Sequence, residues 1–335
     1  MMKHTLKSFF AVSLSAMMAI SLLTACGNNQ APASSASPAP AGSASSGQGK
    51  KLSVMATFYP MYDFASKIGG DKVTVTNMVP AGTEPHDWEP AASDITNLEK
   101  ANVFVYSGAG MEHWVEDVRS TLENKNLVTV EASTGISLRE GHQEDEEASN
   151  QAGHEEEEHE ESGYDPHVWI APLNAKIEMK NIKDALSKAD PGNADYYAAN
   201  YKTWSAACDK LDQTYKDALS GLSNKNIVVS HEAFGYLCDA YGLKQMGIEG
   251  LSPDSEPDPA RMAEIQDFVK KNNVKVIFSE ELVSPKVAQA IADATGAKVQ
   301  MLNPLEGLSD EQLAAGDDYF SVMEKNLDAL KAALQ

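Results

Sequence analysis

Three short segments hold the side chains best suited to chemistry. His86 lies in Thr83-Glu84-Pro85-His86-Asp87-Trp88-Glu89-Pro90, and His167 in Asp165-Pro166-His167-Val168-Trp169-Ile170-Ala171-Pro172. His231 directly follows the apolar run Ile227-Val228-Val229-Ser230. A neutral imidazole presents one nitrogen lone pair, and three converging imidazoles suit a borderline cation such as zinc. A single histidine is more often a hydrogen-bonded loop residue. Two of these three, however, are flanked by proline and tryptophan, which stiffen a loop, and all three fall where a strand pattern ends. His113, in Gly110-Met111-Glu112-His113-Trp114, sits on a helical pattern and reads as structural. Catalysis is the weaker expectation. Glu232 follows His231, but the residue four beyond His231 is Gly235, so the two-histidine helical motif of zinc proteases is missing. No general base with a partner is evident elsewhere, so the chain is expected not to be an enzyme.

The elements that must position these histidines alternate regularly. Strand patterns cover 51–58, 73–79, 103–107 and 127–130, with helical patterns at 61–68, 93–100 and 112–122 between them. The second half repeats the plan, with strands at 227–230, 244–248, 274–278 and 298–302 and helices at 260–271, 285–295 and 317–334. Such alternation predicts an α/β fold of two small lobes with mainly parallel sheets. In open parallel sheets, ligands gather at the carboxyl ends of strands, which is where the three histidines fall. Between the halves, Tyr197, Tyr201, Trp204, Cys208, Leu211, Tyr215, Leu219 and Leu222 recur at spacings of three and four. That apolar stripe predicts one long rigid helix over 193–222, joining the two lobes. His231 is expected to open the helix after its strand. No glycine-rich phosphate loop follows any strand, which argues against nucleotide binding. Cys208 and Cys238 read as buried core residues, although the two could also pair.

Charge narrows the function further. The 335 residues hold 49 acidic and 27 basic side chains, a net charge of -22, which excludes a partner recognised through nucleic-acid phosphates. Three cysteines are too few for a disulfide scaffold. The acids are unevenly spread: ten of them, without a lysine or arginine, crowd into 141–163 together with His142, His154 and His159. A solvated loop is the ordinary meaning of such a run. Its place just before Asp165-Pro166-His167 suggests instead weak capture of metal near the cleft.

At the N-terminus, Lys3 and Lys7 precede an apolar stretch, 9–23, that ends in Leu23-Thr24-Ala25-Cys26. This is a secretory signal too short to span a bilayer comfortably, and its end resembles the bacterial lipobox, in which the cysteine is lipidated. Residues 27–49, nearly all Ser, Ala, Pro, Gly, Asn and Gln, form a flexible tether. The expected organisation is a signal peptide (1–25), a lipidated Cys26 and linker (26–50), a first lobe (51–190, containing the acidic insert 141–163), a linking helix (191–222) and a second lobe (223–335).

Glu84-Pro85-His86-Asp87-Trp88-Glu89-Pro90, Asp165-Pro166-His167-Val168-Trp169-Ile170-Ala171-Pro172 and Ser230-His231-Glu232-Ala233-Phe234-Gly235-Tyr236 together resemble the metal-ligand motifs of the zinc- and manganese-binding receptors of bacterial ABC importers. The similarity runs from Lys51 to the C-terminus and includes Leu251-Ser252-Pro253 with Pro257-Asp258-Pro259. The resemblance implies two α/β lobes, a rigid connecting helix and a metal in the cleft. It also implies a monomeric receptor that is lipid-anchored outside the cell membrane and delivers its ion to a permease with its ATPase. Manganese receptors of this family carry a carboxylate where this chain has His231, and three imidazoles favour Zn²⁺ over Mn²⁺. A manganese receptor, or a metal-buffering or adhesive surface lipoprotein without a permease, is the alternative; an extracellular zinc hydrolase comes third. Many relatives supply a fourth ligand from Leu-Asp-Pro-Leu, but this chain reads Leu302-Asn303-Pro304-Leu305-Glu306, and Asn303 is a poor zinc ligand. The fourth position stays open between Glu306, which some zinc-binding relatives use, Glu280 or Glu281 at the end of the preceding strand, and water. The resemblance extends to the insert, which is similar to the His- and acid-rich loop of zinc receptors.

Overall fold

The computed structural model describes residues 50–141, 163–253 and 257–335. The expected signal segment, Cys26 and tether lie outside the described residues, as do His142, His154 and His159. No helix among the described residues is long and apolar enough to cross a membrane.

Two four-stranded parallel sheets share one topology. The first comprises β1 (Leu52–Ala56), β2 (Val73–Asn77), β3 (Val103–Tyr106) and β4 (Val128–Glu131), in the order β2-β1-β3-β4. The second comprises β5 (Asn226–Val229), β6 (Lys244–Gly247), β7 (Val276–Ser279) and β8 (Lys298–Met301), in the order β6-β5-β7-β8. Central strands read as continuous apolar runs because helices cover both faces: Val103, Phe104 and Val105 of β3 are all fully buried. Edge strand β2 alternates buried Val73 with exposed Thr74. In each sheet the chain first steps to one side and then returns to the other. The strand order therefore reverses between β1 and β3, and again between β5 and β7. Crevices open at the carboxyl ends of such strand pairs.

The helices are α1 (Tyr59–Gly69), α2 (Ala92–Leu98), α3 (Val115–Thr121), α4 (Pro172–Ala189), α5 (Ala194–Leu219), α6 (Gly235–Tyr241), α7 (Pro259–Lys271), α8 (Lys286–Thr295), α9 (Asp310–Ala315) and α10 (Tyr319–Leu334). Pro172 opens α4, where its missing N–H costs nothing, and the turn Pro191–Asn193 separates α4 from α5. The 26 residues of α5 extend about 39 Å at 1.5 Å per residue. Its stripe buries Tyr197, Cys208, Leu211, Tyr215 and Leu219, and the helix packs against α4, α1, α10 and α6. The C-terminal α10 turns back onto the first lobe. Tyr319 packs edge-to-face on Phe64 at 4.9 Å, and its hydroxyl donates to the Trp169 carbonyl at 2.8 Å. One apolar cluster thus runs from β1 and α1 through α5 to β5, α6 and α10.

The structure departs from expectation in several places. Helix α3 begins only at Val115, so His113 precedes the helix rather than lying on it. His167 follows the isolated bridge of Glu140 with Tyr164 rather than the end of a strand. Helix α6 begins at Gly235, so His231 does not open it. The amide of His231 donates to Glu280 and that of Glu232 to the Gly250 carbonyl, which holds 231–234 in a turn. The six-residue α9, capped by Ser309 with Gln312 reaching back, is too short to show an apolar period. The helix expected over 317–334 starts two residues later, at Tyr319, because Asp318 is its N-cap. Cys208 and Cys238 are both buried and free.

Candidate metal centre

Each of the three histidines is aimed by a carboxylate or a short turn next to it. His86 lies in the loop after β2, where its amide donates to both oxygens of Glu84 at 3.0 Å. His167 follows a local turn in which Asp165 Oδ1 accepts from the His167 amide (3.0 Å) and lies 2.9 Å from its Nδ1. The next turn buries Trp169, whose indole N–H donates to the Pro304 carbonyl at 2.8 Å. His231 stands at the end of β5 and Glu280 at the end of β7, across the point where the strand order reverses. Glu280 Oε1 accepts from the His231 amide (3.0 Å) and lies 2.7 Å from its Nδ1.

The loop after β8 supplies Glu306. Asn303, at the position where many relatives carry a ligand aspartate, builds the turn instead. Its Oδ1 accepts from the Leu305 amide at 2.7 Å, and Asn326 holds both its backbone N–H and its carbonyl. Leu305 is fully buried with a φ of 64°, a left-handed conformation unusual for leucine, and this turn delivers Glu306 inward.

These four side chains converge. Glu306 Oε1 lies 3.0 Å from His167 Nε2, 3.0 Å from His231 Nε2 and 3.3 Å from His86 Nε2. His167 Nε2 is 3.3 Å from His86 Nε2 and 3.2 Å from His231 Nε2. A tetrahedron with ligands ~2.0 Å from its centre has edges of about 3.3 Å. The five distances therefore approximate the edges of a zinc coordination sphere. Among the described residues, no other group of three or more His, Cys, Asp or Glu side chains brings its ligand atoms together. The two rivals for the fourth position stand apart: Glu280 faces the far nitrogen of His231, and Glu281 accepts from Gln312 at 3.4 Å. His113 lies 3.6 Å from Glu89 on the surface.

The electrostatics describe a cage for a cation. With Nδ1 of His167 and of His231 each donating to a carboxylate, both Nε2 atoms present lone pairs to the centre. Burial pulls the His167 imidazole down, but hydrogen bonds to the carboxylates of Asp165 and Glu306 carry it above the usual histidine value. For His231 burial also acts downward, and the charges of Glu280 and Glu306 overcome it, leaving the group well above that value. Burial would raise Glu306, yet the His231 charge and the three imidazole hydrogen bonds hold it well below the ordinary carboxylate range. All these shifts express one fact: positive charge at the centre is favoured, whether it arrives as protons or as a metal. Asp165 and Glu280 are the functional residues that sequence reasoning missed in their actual roles. Asp165 was in view only as part of a motif, two residues before its histidine.

A fold of two like α/β lobes around a buried three-imidazole, one-carboxylate cluster defines a metal-binding protein. The sequence profile described as "ZnuA: Zinc-uptake complex component A periplasmic" matches residues 54–333, and the chain belongs to that family. It is 44% identical over 313 residues to the high-affinity zinc uptake system protein ZnuA of Bacillus subtilis, covering 93% of this chain and 94% of the relative. It is 41% identical over 281 residues to the zinc-binding lipoprotein AdcA of Streptococcus pneumoniae, covering 84% of this chain but only 55% of that longer protein. The crystal structure of the Zn(II)-bound ZnuA-like domain of Streptococcus pneumoniae AdcA superposes with a TM-score of 0.72 at 38% identity, over 85% of this chain and 99% of the domain.

Proposed function

We propose that the chain is the extracytoplasmic receptor of a zinc importer, taking up Zn²⁺ as cargo and presenting it to an ABC permease driven by its ATPase. The observation that carries this reading is the near-tetrahedral meeting of His86, His167 and His231 Nε2 with Glu306 Oε1. Three nitrogens and one oxygen suit zinc, whereas manganese favours more oxygen donors and a larger coordination number. All four positions are filled by protein, so no coordination site is left for a substrate water, which suits capture and release better than hydrolysis. Family membership and the zinc-binding names of the relatives support the same conclusion.

A cavity of about 630 Å³ adjoins the His86 loop, with Glu84, Asp87 and Glu89 facing Pro253, Leu282 and Ser284 of the second lobe. Its carboxylates attract a cation toward the cleft. The finer assignments belong to the same proposal. Cys26 is lipidated and anchors the chain to the membrane, the receptor acts as a monomer, and His142, His154 and His159 gather zinc loosely beside the cleft. The lipobox-like Leu23-Thr24-Ala25-Cys26 and the ten acids of 141–163 support these assignments.

Competition titration with a zinc chelator, together with metal analysis of the purified protein, tests the reading. One tight zinc site per chain is expected, lost in the variant carrying His86→Ala, His167→Ala and His231→Ala. Manganese recovered in preference to zinc, or undiminished binding by the triple variant, overturns it.

A further inference from the structure

Behind the metal cluster, one arginine joins the two lobes without touching a ligand. Arg139 stands at a neck where Asp165 N–H donates to the Arg139 carbonyl at 2.9 Å and Gly141 N–H donates to the Gly163 carbonyl at 3.0 Å. Its guanidinium reaches in two directions, with Nη1 3.4 Å from Asp165 Oδ2 and Nε 3.2 Å from Asp239 Oδ2. Its backbone N–H donates to the Tyr236 hydroxyl at 2.9 Å, and that hydroxyl donates to the Asp165 carbonyl at 2.9 Å. Tyr236 and Asp239 belong to α6, the helix that follows the His231 turn. Asp165 is fully buried, and its other oxygen holds the His167 ring and amide.

We infer that Arg139 is a positioning residue for zinc. It locks the carboxylate that orients His167 to the helix that continues from His231, so ligands from the two lobes are held in one geometry. The inference rests on the zinc-receptor reading of the cluster. Asp165 is a buried carboxylate whose Oδ2 has the Arg139 guanidinium as its cation. Without that partner the carboxylate is free to turn, and the imidazole it holds turns with it. The planar fork of arginine meets two carboxylates on diverging directions, which the single point of a lysine ammonium reproduces only in part. The packing opposite the clamp is close, so any side chain in place of Gly235 would displace it. A Cβ on Gly235 would stand 2.7 Å from Arg139 Nη1 and 2.9 Å from its Cζ, and would collide with Asp165 Oδ2.

The test uses the mature chain as Arg139→Ala, Arg139→Lys and Asp239→Asn variants. Zinc affinity is measured by chelator competition, tetrahedral geometry by the visible absorption of the cobalt(II)-loaded protein, and folding by the melting temperature of the metal-free form. Arg139→Ala is expected to weaken zinc about 10- to 100-fold, the usual span for groups that support a metal ligand, and to weaken the cobalt bands. Arg139→Lys should recover part of the loss. Asp239→Asn, which removes only the exposed anchor (67% exposed), should cost less than Arg139→Ala. Wild-type affinity and an unchanged cobalt spectrum in Arg139→Ala would overturn the inference. So would an affinity loss that tracks a lowered metal-free melting temperature while the cobalt spectrum stays intact, because Arg139 would then serve the fold alone. A wild-type chain without a tight zinc site would refute the receptor reading itself, an outcome visible before any variant is made.

Discussion

Glu178 offers a test of how the first lobe is balanced. It lies on α4, fully buried, and neither carboxylate oxygen has a hydrogen-bond partner among the described residues. Burial, reinforced by the charge of nearby Glu112, holds its carboxyl well above the ordinary value. Even a neutral buried carboxyl without partners costs roughly 1–3 kcal/mol, so Glu178→Met, of similar volume and no polar oxygens, should stabilise the metal-free protein by about that amount at pH 5. The gain should widen as pH rises. A carboxyl whose folded-state pKa is raised favours the native state fully only below its unfolded value near 4.5. Above that, the unfolded chain releases its proton first, and native stability falls by at most ~1.4 kcal/mol per pH unit until the folded-state value is passed. Removing the group removes that slope. Urea unfolding of wild-type and Glu178→Met chains at pH 5, 6, 7 and 8, with chelator present, measures the difference directly. The melting temperature should rise by about 2–4 °C for each kcal/mol gained. Parallel stability curves, or a destabilised variant at pH 8, would refute the account of Glu178 as an unpartnered buried acid.

Zinc affinity should fall as the solution is acidified, because the same lone pairs take protons. The raised values of His167 and His231 place the onset above the ordinary histidine range, and chelator competition across pH should show a loss of one to two decades per unit, about one per proton displaced. Lys67→Met should lower the metal-free melting temperature by about 10 °C. Lys67 lies 2.7 Å from buried Asp63 and 2.9 Å from Asp318, with Trp204 beneath its ammonium, and removing one partner of a buried pair costs roughly 3–5 kcal/mol.

The sequence revealed most of what depends on local pattern. Both parallel sheets announce themselves through apolar runs between helical patterns, and α5 through a stripe seven turns long. His86 and His167 were recognisable from the proline and tryptophan beside them, and His231 because it directly follows the apolar run of β5. The fourth donor could not be decided in the same way. Glu306 and Glu280 are both carboxylates near strand ends, and only the turn built by Asn303, Asn326 and the left-handed Leu305 aims one of them into the cluster. Glu280 instead meets the far side of His231 because β5 and β7 are neighbours in the sheet. Arg139 had no local signal at all. Its partners lie 26 and 100 residues away, and their meeting is a product of the tertiary fold. His231 was expected to begin a helix because an apolar strand led straight into it, but the amides of 231 and 232 are claimed by Glu280 and Gly250 first.

In the proposed site, zinc sits among three imidazoles and Glu306. A crystal structure of the zinc-loaded protein, with data collected on both sides of the zinc absorption edge, tests this most directly. One strong anomalous peak is predicted ~2.0–2.1 Å from the Nε2 atoms of His86, His167 and His231 and from a Glu306 oxygen, with Asp165 and Glu280 still on the Nδ1 atoms. A peak ligated by Glu280 in place of Glu306, a six-coordinate oxygen-rich site, or zinc bound only outside the cleft would contradict it.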